Sequence, residues 1–201
     1  AKEHPFLFII GGMKFDTKIP LLDRFSHLAD NVVIAGAILN NFYKTAGFEV
    51  GASVVEKGYD VPIKKLLKNH KLLLPTDVII LRDGQKHTMA ISEVKKRDKI
   101  VDIGPDSTAH IIAMIKKAKL VVWNGPTGWY EGGFDTATVA IAKVLTTAKA
   151  HSVIGGGDTA AVIQKMLSKN PSQKNKIFLS TGGGATLDFL ANGTLPGVQL
   201  L

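Results

Sequence analysis

Short apolar runs alternate with amphipathic segments along the chain, and glycines follow several of these runs. A short unbroken apolar run indicates a strand that is covered on both faces. The runs predict strands near residues 6–10, 32–35, 72–74, 78–81, 120–123, 152–154 and 177–180. Apolar positions at helical spacing predict helices at residues 16–29, 36–46, 61–69, 107–118, 134–148, 160–167 and 185–190.

Local signals refine the ends of these elements. Asp16 is a candidate N-cap of the first helix, with Pro20 in its first turn, and Asp106 or Ser107 would cap the fourth helix. The Asp83-Gly84 pair predicts a hairpin turn, followed by a short antiparallel excursion over residues 85–99. Residues 102–106 are predicted to form a turn.

The regular alternation of strand, loop and helix predicts an α/β fold. We expect a Rossmann-like three-layer sandwich with a mostly parallel central sheet and helices on both faces. No linker or repeat interrupts the pattern, so residues 1–201 are predicted to form a single domain. Glycine-rich loops follow strands at residues 11–12, 124–128, 155–159 and 182–184. Open α/β sheets bind ligands at the carboxyl ends of their strands, so these loops predict a ligand site there.

Composition and charge exclude several function classes. The 201 residues contain no cysteine, which rules out disulfides and a thiol nucleophile and fits a cytoplasmic location. The net charge is +8, but the basic residues are scattered lysines without interleaved aromatics, a pattern that disfavours nucleic acid as a partner. No apolar run approaches the roughly 18 residues of a membrane span. The six histidines show no metal-ligand spacing.

The stretch from Ser152 to Thr159 carries the most specific chemistry in the chain. A strand end, three glycines, an acid and a hydroxyl precede a helix, whose free N–H groups favour an anion. Asp158 beside a bare phosphate would be repelled, but it fits if Mg²⁺ lies between the two. The sequence therefore predicts a metal–phosphate cradle with Asp158 as the magnesium ligand.

Two other phosphate motifs fail for this loop. Gly155, Gly157 and Ala160 satisfy the dinucleotide fingerprint, but no acidic residue follows before Leu187 to hold the ribose. A Walker-type loop is excluded because the chain has no Gly-Lys-Ser/Thr.

Other candidate groups lie near the remaining glycine loops. Lys14 and Lys18 share a helix face if helical geometry already holds there, and such charges suit phosphoryl transfer, although a solvated lysine pair has the same spacing. Glu131 could accept ribose hydroxyls or simply begin a helix, and Asn124 could contact phosphate or form a turn. Trp123 and Trp129 are expected to pack rather than to stack on a base.

Five segments together resemble the carboxyl-terminal, nucleotide-binding domain of phosphoglycerate kinase. They are GGMKFDTK from Gly11, VWNGPTGWYE from Val122, IGGGDT from Ile154, STGGGA from Ser180 and LPGV from Leu195. They occur in the family's order, and the resemblance covers essentially the whole chain.

The resemblance implies roles for residues in these segments. Lys14 and Lys18 would hold the nucleotide phosphates and the transferring phosphoryl group, and the amides of Gly182, Gly183 and Gly184 would serve its transition state. Asp158 would carry Mg²⁺. ATP or ADP would bind through the residues of the remaining loops. Thr159 and the amides of Gly156 and Gly157 would contact phosphate oxygens, and Glu131 would contact the ribose. The nucleotide site would be completed by Gly36, Asn124, Pro126 and Gly155.

The chain also departs from the family pattern. The glycine-rich adenine wall is replaced by residues 34–39, which keep only Gly36, and Ile100-Val101 stands where the family has Gly-Leu, so a narrower adenine slot is expected. The family's amino-terminal domain with its arginine cluster is absent, and only Arg24, Arg82 and Arg97 occur.

The expected function is that of a monomeric half of an enzyme that moves a phosphoryl group between 1,3-bisphosphoglycerate and MgADP in glycolysis. The phosphoglycerate domain would be its partner in the full enzyme, and the chain alone should bind nucleotide with little turnover. A non-catalytic nucleotide-binding regulatory module is the alternative, and a nucleic-acid binder is the third hypothesis.

Overall fold

A six-stranded parallel sheet forms the centre of the computed structural model, which describes residues 3–168, 176–180, 182 and 185. The strands of the described residues are β1 (Phe6–Ile10), β2 (Asn31–Ile34), β3 (Leu72–Leu73), β4 (Asp77–Arg82), β5 (Gln85–Ala90), β6 (Lys99–Ile103), β7 (Leu120–Asn124), β8 (His151–Gly155) and β9 (Ile177–Ser180). The central sheet has the order β3-β2-β1-β7-β8-β9. A smaller antiparallel sheet has the order β5-β4-β6.

The helices fall into two groups that follow from the direction in which the chain crosses the sheet. They are α1 (Phe15–Leu28), α2 (Ile38–Thr45), α3 (Asp60–Leu66), α4 (Pro105–Lys117), α5 (Thr136–Leu145) and α6 (Gly157–Leu167). From the central strand β1 the chain moves to one edge of the sheet through β2 and β3. It then returns to the centre at β7 and moves to the other edge through β8 and β9. Because crossovers of this kind are right-handed, the two groups of helices cover opposite faces. The predicted three-layer α/β fold is therefore confirmed.

The central strands are buried along their whole length and end at one common edge. All five residues of β1 are buried, as the apolar run predicted. The register pairs Ile10 with both Ile34 and Asn124, and Asn124 with Gly155. Gly155 pairs in turn with Ser180. The loops that follow β1, β2, β7 and β8 therefore start side by side. β1 and β7 are parallel neighbours, and from this point the chain adds strands outward in opposite directions across the sheet. Open α/β sheets form a ligand crevice at such a switch point.

The hairpin prediction is confirmed, and the prediction for residues 102–106 is wrong in part. Asp83 and Gly84 have positive φ angles of 50° and 76° and join the antiparallel strands β4 and β5. Asp102 and Ile103, however, belong to β6, because they pair with β4 rather than turning. Only the residues after Ile103 leave the strand.

Several helix ends differ from the predicted ones. Helix α1 begins at Phe15, so Lys14 and not Asp16 occupies the N-cap position, and Pro20 lies within the helix as its sixth residue. Helix α6 begins at Gly157, three residues before the predicted start, so Asp158 and Thr159 lie in its first turn. Helix α5 is shorter at both ends than predicted. The helix predicted for residues 185–190 lies outside the described residues, apart from Ala185.

A distant carboxylate caps α4, so the prediction of Asp106 or Ser107 as its cap is wrong. Gly104 is the N-cap residue and Pro105 opens the helix. The buried Asp77 of β4 accepts hydrogen bonds from the backbone N–H of Asp106 at 3.0 Å and that of Ser107 at 2.8 Å, and from the Ser107 hydroxyl at 2.5 Å. These bonds satisfy N–H groups that no residue within the helix can reach. None of the described helices is both long and apolar enough to cross a membrane.

We expect Asp77→Ala to lower the free energy of unfolding by about 1–3 kcal/mol, because three donors lose their acceptor in a buried place. Urea denaturation of the variant and the wild type measures the difference. Asp106→Ala is the matched control, since its exposed side chain sits in the same helix turn and its loss should change stability by less than about 1 kcal/mol. Equal effects of the two variants would contradict the capping role of Asp77.

Candidate functional site

A cavity of about 560 Å³ opens at the carboxyl edge of the sheet, at the switch point between β1 and β7. It brings together most of the residues that the sequence predicted for the site, namely Lys14, Lys18, Gly36, Asn124, Pro126, Glu131, Gly156, Gly157 and Asp158. Gly155 and Thr159 do not line it, and neither does Gly182. Gly183 and Gly184 lie outside the described residues.

Lys18 is a buried cation whose only polar contact among the described residues is neutral. Its side chain projects from the second turn of α1 and is 7% exposed. The Nζ atom donates a hydrogen bond to Oδ1 of Asn124 at 2.6 Å. Burial, with a smaller contribution from the charge of Lys14, lowers the pKa of Lys18 to about 8. A cation held in this way attracts an anion into the cavity, because it has lost water without gaining a counter-charge.

Lys14 adds a second positive charge at the same wall. It occupies the N-cap position of α1, and its side chain is exposed and lines the cavity. The predicted helical pair is therefore modified, since Lys14 precedes the helix and Lys18 lies within it. The two differ in burial, so one ammonium group is enclosed by the protein and the other is exposed to solvent.

The N-terminus of α6 forms the facing part of the cavity. Gly156 is its N-cap residue with a φ angle of 91°, and no side chain caps the helix. A Cβ added at Gly157 would meet no described atom within 4 Å, and Gly156 and Gly157 both line the cavity, so the start of the helix borders open space. The exposed Asp158 lines this space. An anion and a cation bound together would fit between these groups.

Thr159 differs from its predicted position at the ligand surface. Its side chain is fully buried, and its hydroxyl has no hydrogen-bond partner among the described residues. Gly182 is exposed, and its N–H donates to the hydroxyl of Ser180 at 3.1 Å.

The rest of the cavity wall is mostly apolar. Its side chains come from α1, α2, the loop after α2, β6 and the loop after β7, and are Leu21, Ala37, Leu39, Val54, Ile100, Val101, Ile103 and Trp129. Glu131 lies at the rim on a short turn, Tyr130–Gly132, with its side chain exposed. The cavity therefore has one cationic wall and one apolar wall, an arrangement that suits a ligand with a flat apolar part and an anionic part.

The two tryptophans play different parts. Trp123 is fully buried in β7, and its Nε1 donates to the carbonyl of Gly125 at 2.9 Å. Trp129 is 44% exposed, stacks on Phe134 and carries the Lys99 ammonium 3.8 Å from its ring centroid. Trp129 and Lys99 both line the cavity, a contact that the sequence spacing did not indicate.

The loop at residues 124–128 accepts hydrogen bonds from glycines of two neighbouring loops. Gly11 N–H donates to the carbonyl of Asn124 at 2.8 Å, and Gly12 N–H donates to that of Pro126 at 2.9 Å. Gly36 N–H donates to the carbonyl of Thr127 at 2.9 Å. A Cβ at Gly11 would lie 2.1 Å from the Pro126 oxygen, so these loops can approach each other only through glycine.

Asp102 is a site residue that the sequence did not single out. Its buried carboxylate lines the cavity and accepts hydrogen bonds from the N–H of Ile103 at 2.9 Å, the Thr127 hydroxyl at 3.0 Å and the N–H of Ala137 at 3.2 Å. Burial raises the pKa of Asp102 to about 6, although these hydrogen bonds oppose the rise and the charge of Asp135 adds to it. The predicted turn obscured its place in a strand.

A metal ion in this cavity would need ligands beyond protein side chains. In the described part of the chain, no three His, Asp or Glu side chains cluster as a metal site requires. Asp158 therefore fits a magnesium ion that is also held by phosphate oxygens, which is how Mg²⁺ is usually bound.

Comparison with known proteins identifies one family throughout. A model of phosphoglycerate kinase matches residues 1–193. Phosphoglycerate kinases of Vibrio campbellii and Baumannia cicadellinicola are each 38% identical to the chain over 98% of its length. The chain spans about half of these relatives, 51% in both cases.

Solved structures give the same result. Phosphoglycerate kinase from Coxiella burnetii matches with a TM-score of 0.87 at 32% identity, over 100% of this chain and 53% of that one. The enzyme from Pyrococcus horikoshii matches with a TM-score of 0.79 at 26% identity, over 99% of this chain and 52% of that one.

The raised pKa of Asp102 predicts a pH-dependent stability that an uncharged replacement removes. The pKa of Asp102 is about 6 in the folded chain, whereas the ordinary value for an aspartate is 3.8. As the pH falls, the folded state therefore takes up the proton at a higher pH than the unfolded state does. Acidification from pH 7.5 to pH 4 should therefore stabilise the wild type relative to Asp102→Asn, by at most about 3 kcal/mol. Urea denaturation of both proteins across this range measures the difference, and a constant difference would contradict the assignment.

Proposed function

Because the chain belongs to the phosphoglycerate kinase family, we propose that it is the nucleotide-binding part of such an enzyme. The full enzyme would transfer a phosphoryl group reversibly between 1,3-bisphosphoglycerate and MgADP in glycolysis. The chain spans about half of its relatives, so a second part of the enzyme would supply the phosphoglycerate site. In this proposal the chain acts in the cytoplasm as a monomer, and the residues proposed for its nucleotide site all belong to one chain.

The observation that carries the proposal is the uncompensated charge of Lys18. A buried ammonium group whose partner is a neutral amide is electrostatically unfavourable until an anion arrives. Lys14 lies close enough to lower the pKa of Lys18, so one bound anion would compensate both of these charges. A polyphosphate satisfies both at once, and the open N-terminus of α6 adds N–H donors opposite them.

The shape of the cavity supports one orientation of the nucleotide. The apolar wall from β6 and α2 suits the base, and the lysines and α6 suit the phosphates. Glu131 lies at the rim, where its carboxylate would accept hydrogen bonds from ribose hydroxyls. Ile100 and Val101 narrow the base end of the slot, so we expect a tight fit for the adenine ring.

Asp158 is the residue proposed to hold Mg²⁺ beside the phosphates. The open space before Gly157 and the carboxylate of Asp158 fit a metal that is shared between protein and phosphate oxygens. When bound, Mg²⁺ would neutralise charge on the phosphate oxygens. Asp158 itself would orient the phosphate chain toward α6.

The lysines are the proposed catalytic groups of this half. Phosphoryl transfer depends mainly on positioning and on stabilising charge around the moving group. Lys18, held by Asn124, would keep its ammonium fixed on the nucleotide phosphate. Lys14, which is exposed to solvent, would contact the transferring group. The amides of residues 182–184 are proposed to complete this arrangement.

The isolated chain should bind nucleotide and turn over very slowly. It contains three arginines, and Arg82 is engaged by Asp98 in two hydrogen bonds of 2.7 Å. A non-catalytic regulatory module would bind nucleotide in the same way. The coding sequence upstream of Ala1 distinguishes the two hypotheses, since an arginine-rich domain encoded there would indicate an enzyme and its absence would indicate a module. A coupled assay that finds ordinary kinase turnover by this chain alone would contradict the proposal of a half-site.

Lys18→Met should separate stability from binding. The substitution removes a buried uncompensated charge, which should raise the free energy of unfolding at pH 7 by about 1 kcal/mol, after the lost hydrogen bond to Asn124 is included. The affinity for MgADP should fall at least tenfold in calorimetry. Lys14→Met, at an exposed position, should weaken binding without the gain in stability. A Lys18→Met variant that binds like the wild type would contradict the phosphate role.

Asp158→Ala should weaken nucleotide binding only where magnesium contributes. We expect the affinity for MgADP to fall about tenfold, and that for ADP measured in a metal chelator to change less than twofold. Asp106→Ala is the matched control, because both acids are exposed second residues of a helix and only Asp158 lines the cavity. An equal loss with and without magnesium would rule out the metal role.

A further inference from the structure

We propose that Asp102 is a positioning residue of the nucleotide site, which holds the loop at residues 124–128 in its binding geometry through Thr127 and Gly128. The inference rests on the proposed function, because it concerns the same cavity. It adds a residue that lies on β6, far from the glycine loops in sequence but in contact with one of them, and that acts on Lys18 through the backbone of that loop.

The first support is a closed set of hydrogen bonds between three elements. The Asp102 carboxylate on β6 accepts a hydrogen bond from the Thr127 hydroxyl at 3.0 Å and from the N–H of Ala137 in α5 at 3.2 Å. Thr127 also contacts Thr138 of α5, whose Oγ1 accepts its N–H at 3.0 Å and lies 2.9 Å from its hydroxyl. All these side chains are buried, so the loop is tied on both sides without competition from water.

The second support is the close approach of Gly128 to the same carboxylate. A Cβ at Gly128 would lie 2.5 Å from the carboxyl carbon of Asp102 and 2.3 Å from the carbonyl oxygen of Phe134. The backbone of the loop therefore lies directly on the acid. Residue 128 must be glycine for this contact to form.

The loop transmits this position to the lysine wall. The carbonyls of Pro126 and Thr127 accept the N–H groups of Gly12 and Gly36, each at 2.9 Å, which fixes the loops after β1 and β2. At its start, Asn124 holds the Nζ of Lys18 at 2.6 Å. A shift at Thr127 would therefore change the distance between Lys18 and the N-terminus of α6.

Asp77 provides a built-in comparison. Both acids are buried, both belong to strands of the small sheet, and both accept hydrogen bonds from the start of a helix. Only Asp102 also bonds to the loop that lines the cavity. A purely structural role predicts equal consequences for the two, whereas a positioning role predicts a difference in nucleotide affinity.

The test is calorimetric titration of MgADP into the whole chain at pH 7.5, using Asp102→Ala and Asp77→Ala. We expect the dissociation constant to rise at least fivefold in Asp102→Ala and to stay within twofold of the wild type in Asp77→Ala. Thr127→Val conserves shape and removes the hydroxyl, so it should weaken binding at least threefold. Thr127→Ser restores the hydroxyl and should bind within twofold of the wild type.

Each outcome decides the matter. If the wild type binds MgADP and both Asp102→Ala and Thr127→Val bind equally well, the positioning role is wrong and the proposed function stands. If Asp102→Ala does not fold, the two Thr127 variants decide alone. If Thr127→Ser is as weak as Thr127→Val, the hydroxyl is not the link and the proposal fails. If the wild type binds no MgADP, the proposed function fails as well.

Discussion

Backbone hydrogen bonds between glycine loops set the geometry on which the cavity depends. The sheet register starts the loops after β1, β2 and β7 side by side, but only glycine lets them come close enough to bond. The N–H groups of Gly11, Gly12 and Gly36 all end on carbonyls of residues 124–128. The glycines of these loops therefore serve protein packing first, and the space that they leave becomes the ligand site.

The charges of the site depend on that packing. Helix α1 starts at Phe15, shortly after the close-packed Gly11-Gly12 turn, and the buried side chain of Lys18 donates a hydrogen bond to Asn124. Burial lowers the pKa of Lys18, which means that the charged ammonium group is electrostatically unfavourable in this position. A bound phosphate would offset that cost. Asp102, which lines the same cavity, shows the opposite shift, since burial raises the pKa of an acid. The cavity thus concentrates unfavourable charge that a ligand or a proton relieves.

The sequence predicted the fold and the location of much of the candidate site, because both depend on local patterns along the chain. Apolar runs located the strands, and glycines after strand ends located Lys18, Asn124 and Asp158 at one edge. Family motifs then supplied their proposed roles, which the geometry of the cavity does not itself establish. Non-local contacts were missed, since no spacing along the chain indicates that Asp77 caps α4 or that Asp102 reaches Thr127. The same limit explains the misplaced cap of α4, whereas the cap of α1 and the buried hydroxyl of Thr159 differ from prediction because the two helices begin one and three residues earlier than expected.

The switch point between β1 and β7 has a consequence for how the chain acquires its site during synthesis. Lys18 and Asn124, whose side chains are joined by a hydrogen bond, are 106 residues apart in sequence. Contacts between residues so far apart in sequence form late, because the entropy of closing a long loop is lost before the contacts can stabilise the chain. A nascent chain that has emerged only through α4 has β1, β2 and both lysines but no β7, and hence no cavity. The nucleotide of the proposed function would therefore stabilise the completed domain, but it would not guide the folding of its first half.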